Sequence, residues 1–188
     1  ESFNMIDIDG DQSTNDTVLI FANGMSGVSF VAEDSGEAII FQEALTYVCV
    51  ELAKAIVRDG EGSNRLIDVV VKGANSEVAA KNAAREITSS TLVKAMVHGL
   101  DPNWGRIMMA LGKSGVDFEE NNVDVFISGI HVVHDGCSIP YLADAVVSSM
   151  NVPEVKFEVN LNAGNFEANA WGCDLTEEYV TFNSAYST

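Results

Sequence analysis

A carboxylate set between two glycines is the first feature with chemical potential. In Gly60-Glu61-Gly62 the neighbours carry no side chains to bar approach, so Glu61 can meet a substrate ammonium or a lysine. The competing reading is a helix C-cap with Glu61 left in solvent. A phosphate loop fits poorly. The glycines follow a helical pattern and precede a strand, and Arg65 stands where a dinucleotide fingerprint has its third glycine. Asp7-Ile8-Asp9-Gly10-Asp11 invites a calcium loop, yet counting from Asp7 the required glycine and final glutamate are Gln12 and Val18. What remains is a solvated acidic turn, or a tight polar loop lining a site, with Ser13 to Thr17 bonding their own backbone. His131 and His134 are three apart on a strand or turn, which predicts opposite faces and no shared metal; His98 stands alone. Packing or surface roles are expected for all three, and no metal site is expected. Asp101-Pro102-Asn103-Trp104-Gly105-Arg106 reads as a helix start, or as an Arg buried at a subunit contact. No G-x-S-x-G elbow occurs.

The background chemistry narrows the classes. Ten Lys and Arg stand against 28 Asp and Glu, a net −18 that repels nucleic acid and anionic membrane. Hydrophobic residues make up 47% of the chain and charged residues 20%, enough for a packed core. Cys49, Cys137 and Cys173 are far apart, with no C-x-x-C, so neither a disulfide framework nor a zinc ribbon is expected. No apolar run reaches the roughly 18 residues of a membrane span, and no signal segment opens the chain. A cytoplasmic setting is expected, and Asn15-Asp16-Thr17 is a chance sequon.

The elements that must position these residues follow from period and punctuation. Val18 to Ala22 is expected to be a buried strand. Glu37 to Asp59 carries a 3.6-residue apolar period and ends at Gly60. Leu66 to Val71 is a strand; Asn75 or Ser76 caps a helix through Ile87; shorter helices follow at Thr91 to Val97, Trp104 to Leu111 and Tyr141 to Met150. Val123 to Ile127 and Ile130 to Val133 pair through Ser128-Gly129. Val155 to Leu161 and Phe166 to Trp171 alternate on either side of Ala163-Gly164-Asn165, which predicts an antiparallel hairpin. A short helix closes the tail. The class is α/β (α+β).

Taken in order, several segments resemble the ornithine acetyltransferase family, also called bifunctional glutamate N-acetyltransferases. They are Ser2-Phe3-Asn4, Asp9 to Thr17, Asp59-Gly60-Glu61-Gly62, Leu92-Val93-Lys94, Asp101 to Arg106, Ala170 to Thr176, and Tyr179-Val180 with Asn183 to Thr188. The set spans the chain, and its D-G-D-x-S-T-N-D-T and D-P-N-W-G-R blocks are highly specific. The resemblance implies a precursor of arginine biosynthesis that cuts itself before a threonine. That threonine heads the beta chain and carries acetyl from N-acetylornithine, or in some members acetyl-CoA, to glutamate. On this reading the chain is a beta chain short of its first segment, with the nucleophile upstream and no catalytic residue within it. The oxyanion donors belong to the alpha chain, and no turnover is expected from this chain alone. The implied partners are that alpha chain, further alpha-beta pairs in a homo-oligomer, and ornithine, N-acetylornithine, glutamate and N-acetylglutamate; no cofactor is implied. Residue by residue, substrate binding carries over to Glu61, Asn183 and Thr188. The implied fold is a layered α/β core shared with the alpha chain, formed by residues 1–64 and 173–188, plus a smaller α/β domain over 65–172. The chain departs from the commoner pattern at Ser63-Asn64-Arg65, where Ala-Thr-Lys is usual, and at Gln12, where Thr is usual. The alternatives are an amidase or aminopeptidase on a related self-processing scaffold, and a non-catalytic acidic binding protein.

Overall fold

The structure is a computed structural model, and it describes residues 1–28 and 31–185. Its hub is β2 (Leu66–Ala74), whose first six residues are all buried. A run of Leu, Ile and three Val covered on both faces is what a central strand requires. On one side β2 pairs in parallel with β6 (Glu154–Asn160), Val69 opposite Phe157. On the other it pairs antiparallel with β7 (Phe166–Cys173), Val69 opposite Ala170. A short β1 (Ile6–Asp7) lies parallel to β7 beyond it. The far edge is made by β3 (Asp124–Ile127), β4 (Ile130–His134) and β5 (Cys137–Ser138), so the sheet order is β1-β7-β2-β6-β3-β4-β5.

The strand pair through Ser128-Gly129 is a hairpin as expected, with positive φ at both turn residues. The hairpin expected between 155–161 and 166–171 does not form. The two strands run antiparallel, but β2 is inserted between them. The segment after β6 wraps the end of β2 instead: Leu161 donates to the Lys72 carbonyl, and Ala163 and Gly164 to that of Gly73. Alternation reports a half-buried strand and is silent about its neighbour.

Five of the helices cover or border this sheet. α2 (Glu77–Ser89) starts at Ser76, whose hydroxyl accepts from Ala79 N at 3.1 Å. It buries Ala80, Ala83, Ala84 and Ile87, one helical stripe. α3 (Thr91–His98) adds Val93, Met96 and Val97, and α4 (Trp104–Lys113) adds Ile107, Ala110 and Leu111. The α4 helix passes through Gly112, where a stop was expected, and is capped at Ser114. α5 (Ala143–Met150) packs Val146 and Met150 beside β3 and β6. α1 (Gly36–Arg58) lies against the more polar face, where Lys54 reaches Asp68 of β2 at 3.8 Å. Only Ala53 and Val57 of α1 are buried, both near its C-terminal end. The last described element is α6 (Glu177–Ala185).

The buried strand expected at Val18 to Ala22 is absent. Leu19, Ile20 and Phe21 are 70%, 73% and 88% exposed and form no ladder. A strand needs a neighbour for its N–H and C=O groups, and no described residue supplies one here. Among the described residues no helix is long and apolar enough to cross a membrane.

Candidate functional site

Glu61 sits where α1 ends and the chain turns toward β2. The helix closes with Asp59 N donating to the Ala55 and Ile56 carbonyls. The turn that follows is stapled from the other end of the chain. Asp174, 3% exposed, accepts from Asn64 N at 2.8 Å, Arg65 N at 2.9 Å and the Ser63 hydroxyl at 3.4 Å. Thr176 donates to the Gly62 carbonyl at 2.8 Å and accepts from Tyr179 N at 3.3 Å. Gly62 has φ +68°, and a Cβ there would lie 2.7 Å from Tyr179 N. Glycine is required for both reasons.

This staple brings α6 over the turn. Asn183 Nδ2 donates to Glu61 Oε2 at 2.6 Å and to the Tyr179 carbonyl at 3.0 Å. Tyr179 in turn donates its hydroxyl to Asp9 Oδ2 at 3.0 Å. The phenol is pushed up to about 12 by burial, by its bond to Asp9 and by the charges of Asp9, Glu61 and Asp11. It therefore stays a donor across the neutral range. The cluster is acidic, with an amide and a phenol as its neutral donors, and an ammonium is the charge it complements. Thr188, the third residue expected at this site, lies outside the described residues.

The loop at Asp7 to Asp11 is closed by bonds to its own backbone. Gly10 N donates to Asp7 Oδ1 at 3.1 Å and Asp11 N to Asp9 Oδ1 at 3.0 Å. Ser13 likewise accepts from Asp16 N at 3.1 Å, as its polar run predicts. The start of this loop is fixed by Lys94, which is 2% exposed. Its ammonium lies 2.8 Å from Asp7 Oδ2 and donates to the Ile8 and Cys173 carbonyls at 2.8 and 3.2 Å. Sequence reasoning gave Lys94 no role of its own, and the available signal was a lone cation inside the apolar stripe of α3. His98, also read as isolated, meets Glu177 at 3.0 Å and Asp174 at 3.6 Å. Arg106 pairs with Asp101 at 3.4 Å and donates to the Leu92 carbonyl, and α4 starts within that block at Trp104, without a side-chain cap bond from Asn103. Burial pushes the Cys173 thiol up, against the pull of Lys94, which makes it a poor nucleophile. A cleft of about 290 Å³ opens on β1 and α2, lined by Asp7, Gly10, Arg85, Glu86 and Ser89 among others, without Glu61.

One geometric expectation fails. His131 and His134 do not point apart, because the ladder slips between Phe126–His131 and Val125–Val133, leaving Val132 as an extra residue. Both imidazoles reach Asp124, and one ligand atom from each of the three lies within 4.8 Å of the others.

A family model described as "ArgJ family" matches residues 1–188. The chain belongs to the ArgJ family. It is 48% identical over its whole length to a glutamate N-acetyltransferase of Methanocaldococcus jannaschii, covering 48% of that protein. It is 42% identical to an arginine biosynthesis bifunctional protein ArgJ of Staphylococcus epidermidis, covering all of the chain and 47% of that relative. The chain thus spans about half the length of these curated ArgJ relatives. The crystal structure of an arginine biosynthesis bifunctional protein argJ from Bacillus halodurans matches with a TM-score of 0.96 and 38% identity, over 99% of this chain and 88% of that one. The family resemblance read from the ordered motifs is therefore correct, and so is the mixed α/β class. Ser63, Asn64 and Arg65, where the sequence was expected to depart from the commoner pattern, lie on a turn held mainly through the backbone N–H groups of Asn64 and Arg65.

Proposed function

We propose that this chain is the C-terminal, beta part of an acyltransferase. The enzyme moves acetyl from N-acetylornithine to glutamate through an acetyl-threonine, in arginine biosynthesis, and the nucleophile is supplied from outside residues 1–188. The observation that carries the proposal is the Glu61–Asn183 contact at 2.6 Å, in a chain of this family, with Tyr179 and Asp9 alongside. Glu61 takes the substrate ammonium, Asn183 orients that carboxylate and offers its amide, and Thr188 is the third contact. The nucleophilic threonine with its free amine as base, and the oxyanion donors, complete the chemistry from neighbouring segments.

The remaining assignments form part of the same proposal. Residues 1–64 and 173–188 join a core shared with the alpha chain, 65–172 form the smaller domain, and the assembled pairs work in the cytoplasm. The exposed run at Val18 to Phe21 and the exposed Ile39, Ile40 and Phe41 of α1 support this, being apolar surface that a second half would cover. Acetyl-CoA as a second donor stays open.

The test is Glu61→Ala in the full-length protein. Loss of a charge-assisted contact of about 1.5–3 kcal/mol lowers glutamate-dependent formation of N-acetylglutamate by roughly 10- to 100-fold while the fold survives. A wild-type rate would overturn the assignment. Release of free acetate indifferent to glutamate would instead indicate a hydrolase.

A further inference from the structure

Asp124, His131 and His134 lie at the β3–β4–β5 edge of the sheet, whereas Glu61 belongs with the β7 and β1 side. Nothing in the proposed acetyl transfer uses them. Their proximity depends on the slip in the β3–β4 ladder, which turns His131 and His134 to a common side.

The carboxylate lies at a spacing from each imidazole close to that of a small divalent ion, and the two imidazole ligand atoms are within 4.8 Å of each other. Asp124 Oδ1 is 3.5 Å from His131 Nε2 and 2.7 Å from His134 Nδ1. A tetrahedral ion with ligands at about 2.0–2.1 Å separates those ligand atoms by roughly 3.3 Å. The first pair is therefore close to spacing already. The second must open by about 0.6 Å, a small ring movement for a side chain that is 55% exposed. The surroundings point the same way. His131 Nε2 is shielded from solvent and has no hydrogen-bond partner among the described residues, the state of a donor or lone pair waiting for a partner. Its ring is fixed by stacking on Phe126, centroids 4.2 Å apart and planes 14° apart. Asn162 donates to Asp124 Oδ2 at 2.9 Å and to the Asn122 carbonyl at 2.7 Å, which holds the carboxylate with Oδ1 toward the histidines. Asp135 Oδ2 stands 3.5 Å from His134 Nε2, placed to accept that N–H once Nδ1 carries a metal. Two imidazoles with one carboxylate, each imidazole or carboxylate backed by an outer polar group or ring, form a donor set suited to zinc.

We propose that Asp124, His131 and His134 form a divalent-cation site, with Zn²⁺ the best-matched ion and one coordination position left to solvent. The ion clasps β3 to β4 at a point where the bulge has removed a regular ladder step. It is a structural tie, separate from acetyl transfer.

Full-length protein, stripped with chelator and dialysed, is titrated calorimetrically with Zn²⁺ alone. One ion binds per chain, and the unfolding temperature rises in step with occupancy. Loss of an outer-shell partner lowers metal affinity by about 10- to 100-fold, so Asp135→Asn falls in that range. Loss of a ligand in His131→Ala or His134→Ala lowers affinity further than loss of the outer-shell Asp135 does. Cys137 is exposed and pairs directly opposite His134, so a chance thiol site is the competing explanation. In Cys137→Ser the affinity stays at the wild-type value. The proposal is overturned by an absence of binding, by equal affinity in wild type and His131→Ala, or by a loss that follows Cys137 rather than the histidines. Asp135→Asn leaves all three ligands in place, so it keeps the test decisive if a histidine variant fails to fold.

Discussion

Gly62 carries more of the site than its size suggests. Its backbone is left-handed, and a methyl group there would press on Tyr179 N and on Thr176, the residues that bring α6 over Glu61. Gly62→Ala is expected to lower stability by about 1–3 kcal/mol, with thermal unfolding of the full-length protein as the readout. Gly60→Ala should cost less, since its Cβ would meet Cys173 Sγ, the Val57 carbonyl and Ile8 at 3.1, 3.1 and 3.3 Å, each looser than the contacts at Gly62. At this scale the sequence was legible where a motif named a residue. Glu61 and Asn183 came from blocks of family pattern, and their side chains meet. The supports were hidden. Asp174 serves Asn64 from 110 positions away, and no spacing rule reaches that far. The histidine pair was misread because a one-residue slip reverses which face a side chain takes, and nothing local marks Val132 as the extra residue.

The helix α1 is moored to the sheet by charge. Glu154 of β6 receives Arg58 at 3.1 Å and Lys54 at 3.3 Å. Burial raises the Glu154 carboxyl, but the bonds and charges of these two cations outweigh it and hold it below the ordinary glutamate value. A carboxylate with a lowered folded value contributes stability above its unfolded value, about 4.3, and loses it as pH falls through the folded value. Asp68 behind it moves the other way, raised chiefly by burial and only partly restrained by Lys54. The informative quantity is therefore the difference between wild type and Glu154→Gln. At neutral pH the variant should be less stable by up to about 1 kcal/mol, as suits a half-exposed pair, with the gap closing below about pH 4. Thermal unfolding followed across acid pH measures it. Periodicity found α2 because it buries one stripe, Ala80, Ala83, Ala84 and Ile87, whereas in α1 the same period marks a face that is largely exposed and only Ala53 and Val57 are buried. Alternation found β6 and β7 but joined them wrongly, since which strand fills the gap is decided by the doubly buried β2.

The whole molecule presents an imbalance of surface. Leu19, Ile20, Phe21, Ile39, Ile40, Phe41 and Tyr47 are all well over half exposed. Isolated residues 1–188 are expected to bind a dye such as anilinonaphthalene sulfonate and to self-associate in sedimentation, despite a net charge of −18 that opposes association. The full-length protein should do neither to the same degree, and equal dye binding by both would show that no second half covers this surface. The run at Val18 to Phe21 adds to this surface: the buried strand expected there does not form, and these residues stand exposed with no ladder partner among the described residues.

The insertion of β2 between β6 and β7 has a temporal consequence. Leu66 must wait for Glu154 on one flank and Cys173 on the other, and Ile6 must wait for Trp171. At about 5–20 residues per second, the ribosome leaves the most apolar strand of the molecule without its flanking ladders for roughly 5–20 s. The nascent chain is thus most exposed to aggregation while the residues between β2 and the end of β7 emerge, and the segment that ends this vulnerable interval is the same β7 that delivers Asp174 to the Glu61 turn.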